Sequence, residues 1–429
     1  MKFYIHTTGC KANQWDSYLI ANRLKEKGFT PGPLPRADFI IINACTLTEG
    51  AERDLRRFVN SARNVNMNAR VIVTGCHAQV YPDKAFGADL VLGQEEKFHV
   101  DEYLTQKGSF VKKLLGIAME SSFINGLPTD RTRIFLKIQD GCDRFCSYCI
   151  VPFARGKPRS RTSDEIVEVM KTFSERGIKE VVLTGIELSA YKDPLTGTDF
   201  KGLLQTLEQE ETPPRIRISS IDPIYLDDEC IQIVASSKKI TRSIHIPLQS
   251  GSNAILNKMG RPYTKGFISD LVRKLNNTIQ GVGIGMDVMV GFPTEDESHF
   301  EETYRFLDDL DIYYLHVFPF SARKGTKAAR MGDDVRVSVK KERAGLLRRL
   351  DAMKRKGFCE RFTGKELCIL AEGKIYRNNY MRGYTDNYIP VHIPYEKSLE
   401  NNLVNVTIGE IRNNLVIGEP VAGQVFSFV

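Results

Sequence analysis

The sequence predicts an α/β protein of three parts: an N-terminal parallel sheet with crossover helices, a central partial (βα)6 barrel, and a small all-β barrel at the end. Three observations predict it. Apolar runs alternate with amphipathic stretches through the first part of the chain, which is the pattern of parallel strands joined by helices. The alternation restarts at about Arg133 and continues for six units. Beyond residue 358 it gives way to short β-like runs punctuated by Gly, Asn and Pro. The expected domains are therefore 1–125, 126–357 and 358–429.

The runs "KFYIHTTGC", "ADFIIINAC" and "ARVIVTGC" each read as a buried strand that ends at a cysteine. Amphipathic stretches at 15–27 and 49–63 lie between them, and a short strand follows at "ADLVLG". Cys10, Cys45 and Cys76 are 35 and 31 residues apart, about the length of one βαβ unit, so all three are expected at the carboxyl ends of neighbouring strands. Open parallel sheets bind their ligands at that end.

In the centre, "RIFLKIQDG", "EVVLTGI", "RIRISSI", "SIHIPLQ", "GIGMDVMVGF" and "YYLHVFPF" read as strands. Helices fit at 164–176, 200–209, 227–237, 264–277 and 296–310. Six units are too few to close an eight-stranded barrel, so an open side is expected. Residues 340–356 form a helical pattern with eight Lys or Arg against two acids, and "ELCILAE", "NYIPVHI", "LVNVTIGEI" and "LVIGEPVAG" supply the closing barrel.

Hydrophobic residues make up 42% and charged residues 26% of the 429, which excludes a disordered or fibrous chain. No apolar run approaches the ~18 residues of a membrane span, and the N-terminus enters a strand without a signal-like pattern. Nine cysteines in such a chain argue for a reducing compartment, the cytoplasm, where thiols serve metals or chemistry. The net charge of +7 permits a nucleic-acid partner without establishing one.

Cys142, Cys146 and Cys149 stand in "DGCDRFCSYC" with C-x3-C-x2-C spacing. Three thiolates in one compact loop can converge on a metal centre and leave one position open. The alternatives on residues alone are a zinc knuckle completed from elsewhere, or small buried side chains. Cys10, Cys45 and Cys76 repeat the three-ligand arrangement, with a zinc site completed by His6 or His77 as the alternative.

The C-x3-C-x2-C loop resembles that of the radical SAM superfamily. Together with "TTGCKANQWDS", "INACTLTEGAERDLR", "VTGCHAQ", "HIPLQSGSNAILNKMGRPYT", "VMVGFPTEDESHFEET" and "FSARKGTKAARM", it resembles the methylthiotransferase family over nearly the whole chain. The resemblance implies two [4Fe–4S] clusters, a radical SAM cluster on Cys142, Cys146 and Cys149 and an auxiliary one on Cys10, Cys45 and Cys76, so that all six cysteines are catalytic as well as metal-binding. It implies S-adenosylmethionine (SAM) bound at the open iron, two molecules per turnover, one giving a methyl group and one making the radical. It also implies that the closing barrel is a TRAM domain. Within the family, "IQDGCDRFCSYCIVPFARGKPRSR" and "HVFPFSARKGT" look most like the branch that methylthiolates carbon 2 of N6-threonylcarbamoyladenosine at position 37 of tRNA. The isopentenyladenosine branch usually has Thr where Ala154 stands. A third branch modifies a ribosomal protein aspartate.

Tyr148 is the aromatic the resemblance sets against the SAM adenine. Gly185 and Glu187 in "LTGIE" match loosely the turn that receives the methionine amino group. Ser220, Gln249 and Val290 end later strands that face the same mouth, and neutral hydrogen bonds or backbone contacts to SAM are expected there. Arg155, Lys157, Arg159 and Arg161 lie just after the cluster loop and are expected to hold the phosphates of an anticodon stem-loop while the base is extruded. Residues 340–356 and the small barrel form a second expected RNA surface. The partners implied are ANN-decoding tRNAs, an electron donor such as a flavodoxin or ferredoxin, and a sulfur source; no membrane is involved. A zinc-containing tRNA-binding scaffold is the non-enzymatic alternative.

Overall fold

In the computed structural model, which describes residues 1–114, 119, 132–332, 334–376, 379–412 and 415–426, the three cysteine-ended runs become neighbouring strands of one sheet. The N-terminal elements are β1 (Lys2–Thr7), α1 (Lys11–Glu26), β2 (Thr30–Pro31), β3 (Phe39–Asn43), α2 (Glu49–Val65), β4 (Arg70–Thr74), α3 (Cys76–Val80), β5 (Leu90–Leu92), α4 (Val100–Tyr103) and β6 (Gly108–Phe110). The sheet is parallel in the order β2-β1-β3-β4-β5-β6. Thr7, Asn43 and Thr74 stand side by side at its carboxyl edge, so the cysteines that follow are brought together by register alone. Strand β3 is buried along its whole length, as a strand covered on both faces must be. Helix α2 begins where Thr48 caps it by accepting from Ala51 N, with Glu49 and Glu52 in the first turn. The expected boundary near residue 125 lies outside the described residues.

The central part runs β7 (Arg133–Lys137), β8 (Gln139–Asp140), α5 (Val151–Arg155), β9 (Arg159–Ser160), α6 (Ser163–Glu175), β10 (Glu180–Thr184), α7 (Phe200–Gln209), β11 (Arg215–Ile218), α8 (Asp228–Ser236), β12 (Ser243–Gln249), α9 (Asn253–Met259), α10 (Lys265–Thr278), β13 (Gly283–Val290), α11 (Glu297–Asp309), β14 (Tyr314–Pro319) and α12 (Lys327–Arg330). Two parallel sheets, β11-β10-β7 and β12-β13-β14, meet through the parallel bridges Ile216↔Ile240 and Ser220↔His245. The six strands thus stand in chain order. Alternation splits their faces: Ile134, Leu136, Ile244, Ile246, Met286 and Val288 pack into the main core against the helices. Phe135, Lys137, His245 and Asp287 take the opposite face.

Helix α13 (Val337–Glu360) leads into β15 (Glu366–Tyr376), β16 (Tyr380–Thr385), β17 (Pro390–Pro394), β18 (Leu403–Arg412) and β19 (Leu415–Phe426), which close into a barrel in the order β15-β16-β17-β19-β18. Its core holds Ile369, Met381, Val391, Ile393, Val404 and Val406. The barrel covers the amino ends of the central strands. Arg215 donates to Tyr384 O at 3.0 Å, Arg217 to Asp386 O at 3.1 Å, and Arg242 to the Asp386 carboxylate at 2.6 Å. Among the described residues no helix is long and apolar enough to cross a membrane.

Candidate metal centre

Each cysteine of the N-terminal trio is placed by the strand before it. Gly9 and Gly75, which precede Cys10 and Cys76, have φ of +95° and +90°, a conformation open to glycine at little cost. A Cβ on Gly9 would sit 2.6 Å from Cys45 Cβ, so the chain at Gly9 passes directly over Cys45. Cys10 is exposed and the other two are buried. Burial pushes the Cys45 thiol up to about 12, and the neighbouring Cys76 and Cys10 add to the effect. The sulfur of Cys76 accepts from Arg155 Nε at 3.3 Å and from Gln94 Nε2 at 3.4 Å.

The second trio lies in the loop between β8 and α5. Cys142 N donates to Gly156 O at 3.0 Å, Ser147 N to Met259 O at 2.9 Å, and Ala328 N to Ser147 O at 2.7 Å. The loop is therefore pinned to its own end, to α9 and to α12. Burial raises the Cys142 thiol to about 11 and the Cys149 thiol to about 12. Cys146 Sγ accepts from Arg261 Nη1 at 3.4 Å.

Arg155 links Cys76 to Asp140, two residues before Cys142. Besides Cys76 it donates to Asp140 Oδ1 at 2.8 Å, to Asp16 Oδ2 at 3.1 Å and to Asn13 Oδ1. Asp16 also pairs with Lys97 at 2.7 Å and with Lys137, while Asp140 pairs with Lys137 at 2.9 Å and Arg159 at 3.0 Å. Burial pushes both carboxyls up, but the surrounding cations outweigh it and hold them below the usual carboxylate range: Lys137, Lys97 and Arg155 at Asp16; Arg155, Lys137, Arg159 and Lys97 at Asp140. Burial lowers Lys97 to about 8. Arg323, beyond β14, adds a second tie to the N-terminal elements, donating to Thr46 beside Cys45 at 3.1 Å and to Glu52 at 3.1 Å.

A further network rings the mouth above Cys146. Arg144 bridges Glu187 at 2.9 Å and Asp222 at 2.8 Å; Arg261 donates to Asp222 at 3.1 Å and to Tyr263 at 2.7 Å. Burial raises the Glu187 carboxyl despite Arg144. Gly185 faces Gln139, whose Oε1 accepts from Ile186 N at 3.0 Å and Glu187 N at 2.8 Å. Gln249 has φ +76° and is 6% exposed, and its Oε1 has no partner among the described residues. Ser220 is exposed beside His245. Tyr148 packs against the Ile255, Met259 and Phe292 cluster. The Val290 side chain is in the main core and its carbonyl accepts from Phe320 N at 2.8 Å.

The basic quartet needs correcting. Arg155 is 1% exposed and Arg161 4%; Arg161 donates to Lys137 O and lies 5.8 Å from the Trp15 ring. Neither reaches solvent, because each is held by charges or carbonyls inside the protein. Arg159 is half-buried against Asp140, and Lys157 is exposed. In α13, Lys340 and Arg343 are also buried, Arg343 on Glu295 at 2.8 Å, whereas Lys341, Arg348, Arg349 and Lys356 are exposed.

Sequence reading missed Asp16, Lys97, Lys137, Asp140, Arg144, Asp222 and Arg261. A signal existed for Lys137 and Asp140: charges inside the apolar run "FLKIQD" are costly unless paired. It also missed His245, Asp287 and His316, which face each other, with Asp287 Oδ1 at 3.0 Å from His245 Nε2 and 3.4 Å from His316 Nδ1. These three are the one group of His, Cys, Asp or Glu ligand atoms within 4.8 Å of one another among the described residues. Neither cysteine trio is gathered at single-ion spacing. His77 Nε2 is bound to Lys84 O at 2.8 Å while its buried Nδ1 has no partner among the described residues, and His6 stacks on Phe58.

Residues 136–307 match the family described as "Radical SAM superfamily", and residues 2–93 that described as "Uncharacterized protein family UPF0004". A threonylcarbamoyladenosine tRNA methylthiotransferase of Bacillus subtilis is 37% identical over 417 residues, 94% of this chain and 92% of that protein. Its namesake from Aquifex aeolicus is 38% identical, covering 89% and 96%. A tRNA-2-methylthio-N(6)-dimethylallyladenosine synthase of Staphylococcus epidermidis is 31% identical, covering 96% and 83%. Among solved structures, a radical S-adenosylmethionine methyltransferase from Kitasatospora setae superposes with a TM-score of 0.55 at 15% identity, covering 74% of this chain and 72% of that one, a likeness of fold alone.

Proposed function

Because this chain belongs to the methylthiotransferase family of radical SAM enzymes, we infer that its two cysteine trios serve one active site, which methylthiolates carbon 2 of N6-threonylcarbamoyladenosine in tRNA. The observation that carries the reading is Arg155, whose guanidinium contacts Cys76 of one trio and Asp140, two residues before Cys142 of the other. [4Fe–4S] clusters and SAM, when bound, supply the one-electron chemistry, sulfur and methyl group that side chains lack.

The residues fit those groups. Two trios of thiols stand at strand ends, each with an arginine donor to one sulfur. The buried network beside Cys76 has four cations, Lys97, Lys137, Arg155 and Arg159, against the two carboxylates of Asp16 and Asp140, a surplus suited to an anionic thiolate centre. At the mouth, the free Gln249 Oε1 offers an acceptor for a polar ligand group.

In this reading Cys142, Cys146 and Cys149 hold the radical SAM cluster, and Cys10, Cys45 and Cys76 the auxiliary one. Arg261 donates to the Cys146 sulfur and orients it. Arg144 fixes Glu187 toward a SAM amino group, with Gln139 shaping the turn that presents it. Arg155 holds the domains so that sulfur and radical face one base, a gain of orientation. The six chain-ordered strands form a partial (βα)6 barrel whose open side takes the N-terminal domain. The closing barrel acts as a TRAM domain, and with Lys157 and the exposed lysines and arginines of α13 it receives the anticodon stem-loop of ANN-decoding tRNAs in the cytoplasm. A flavodoxin or ferredoxin delivers the electron. Domains 1–125, 126–357 and 358–429 are the working units.

The test is nucleoside mass spectrometry of tRNA from cells with and without the gene. Loss of the 2-methylthio form of threonylcarbamoyladenosine, with the unmodified form accumulating, is expected. Loss of 2-methylthio-isopentenyladenosine in its place would move the enzyme to the other branch.

A further inference from the structure

A cavity of about 580 Å³ opens where all three parts of the chain meet, inside the range of roughly 300–1,000 Å³ typical of small-molecule sites. Lys11 enters it from the N-terminal domain; Arg133, Phe135, Val182 and Arg217 line it from the central strands; Tyr388 comes from the closing barrel. Lys11 is the residue after Cys10 and the first of α1. Its backbone is therefore at the auxiliary cysteines while its side chain reaches the face of the central sheet.

The charges around the cavity are unequally occupied. Arg217 clasps Glu180 at 3.0 Å, and Arg133 pairs with Glu372. Glu372 also takes Arg382 at 2.9 Å, and Glu400 accepts from Tyr395 at 2.8 Å. Asp287, farther along the same face, is engaged by His245 and His316. Lys374 lies at the rim. Lys11 has no ion-pair partner among the described residues. Among the described residues Lys374 also lacks an ion pair but is exposed, whereas Lys11 is half-buried inside the cavity, where no carboxylate of the chain neutralises it and an anion from outside can.

We propose that this cavity receives the acidic substituent on N6 of the target adenine, with the Lys11 ammonium as the counter-ion of its carboxylate. The proposal rests on the methylthiotransferase reading and deepens it, by naming what separates an acid-bearing base from one with an apolar tail. A base whose carbon 2 faces the sulfur at Cys10 carries its N6 group on the same molecule, and Lys11 is one residue from that cysteine. Phe135 and Val182 offer an apolar wall for a threonyl methyl, and Tyr388 a hydroxyl for its polar end.

The experiment compares two stem-loop RNAs with reconstituted full-length enzyme: one with threonylcarbamoyladenosine, one with the same base as its uncharged threoninamide. Methylthio product is followed for wild type, Lys11→Gln and Lys11→Arg, with iron content measured for each. The ratio of kcat/KM for acid over amide is expected to fall at least tenfold in K11Q and to recover in K11R. A fall equal for both RNAs would overturn the proposal in favour of a structural or phosphate-binding lysine. An unchanged ratio would also overturn it. Wild type that modifies neither RNA, yet modifies an isopentenyladenosine stem-loop, would instead overturn the functional reading on which it rests.

Discussion

Replacing Arg155 with Met tests whether the interdomain network holds the auxiliary site. The guanidinium is 1% exposed and spends every nitrogen: Nη1 on Asp140 at 2.8 Å, Nη2 on Asp16 at 3.1 Å and on Asn13, Nε on Cys76 at 3.3 Å. Breaking a buried ion pair costs about 3–5 kcal/mol when a bare charge is left. Neither carboxylate is left bare, since Asp16 keeps Lys97 and Lys137, and Asp140 keeps Lys137 and Arg159. The loss is therefore that of hydrogen bonds to charged groups, about 1.5–3 kcal/mol, or about one to two decades in an equilibrium constant. Because the lost donor is the one on Cys76, this falls on retention of the N-terminal cluster. After anaerobic reconstitution and a chelator challenge, wild type should keep roughly eight irons as two clusters and Arg155→Met about four. Arg155→Lys should lie between, keeping charge without the fork. Full iron retention in Arg155→Met, or equal loss from both sites, would refute the reasoning.

Arg261→Met removes the donor to Cys146 and a partner of Asp222; hydrogen bonds to charged groups are worth about 1.5–3 kcal/mol, so SAM cleavage should fall at least tenfold while iron on Cys10, Cys45 and Cys76 stays. Gln249→Gly should relieve a left-handed residue worth about 1–2 kcal/mol yet weaken SAM binding about tenfold, measured by calorimetry; unchanged binding would sink the role given to Gln249. The Asp16 and Asp140 carboxyls are held below their ordinary value. Their contribution to stability is present above about pH 4, the unfolded value, and is lost as pH falls through that window toward the folded values. Fluorescence of the single tryptophan, Trp15, buried at 1% beside Arg161, should report this acid transition, and Asp140→Asn should flatten it.

Much of this architecture was legible because strand-ending cysteines report both a period and an edge. The runs ending at Cys10, Cys45 and Cys76 became β1, β3 and the strand leading to α3, and their register gathers the thiols. The six central runs all became strands. Strand β16 escaped because "YMRGYT" mixes polar residues and glycine into a short run that only barrel closure makes a strand. The basic stretch after the cluster loop misled for a related reason. Spacing shows that Arg155, Lys157, Arg159 and Arg161 cluster; it does not show that Asp16, Asp140 and the Lys137 carbonyl wait for them from elements up to 139 residues away. Long-range partners decide whether a charge run is a surface or a core, and a linear sequence does not display them.

The contact between the N-terminal elements and the central strands is ionic, with Asp16 meeting Lys137 and Arg155. Well-packed apolar residues would hold two domains at least as strongly as buried ion pairs do. An apolar interface would, however, leave the thiolates that face it without counter-charge, and burial already drives the Cys45 and Cys149 thiols upward. Arg155 near Cys45 and Arg261 near Cys149 offset part of that cost where it arises. In the proposed arrangement the residues that join the N-terminal elements to the central strands also donate to a sulfur ligand, which would link cluster loading and docking in one equilibrium. An enzyme that must bring a sulfur donor and a radical source to one carbon needs that linkage. A loosened interface would separate the two trios, and misplacement on the scale of an ångström is enough to lose orientation-dependent rate.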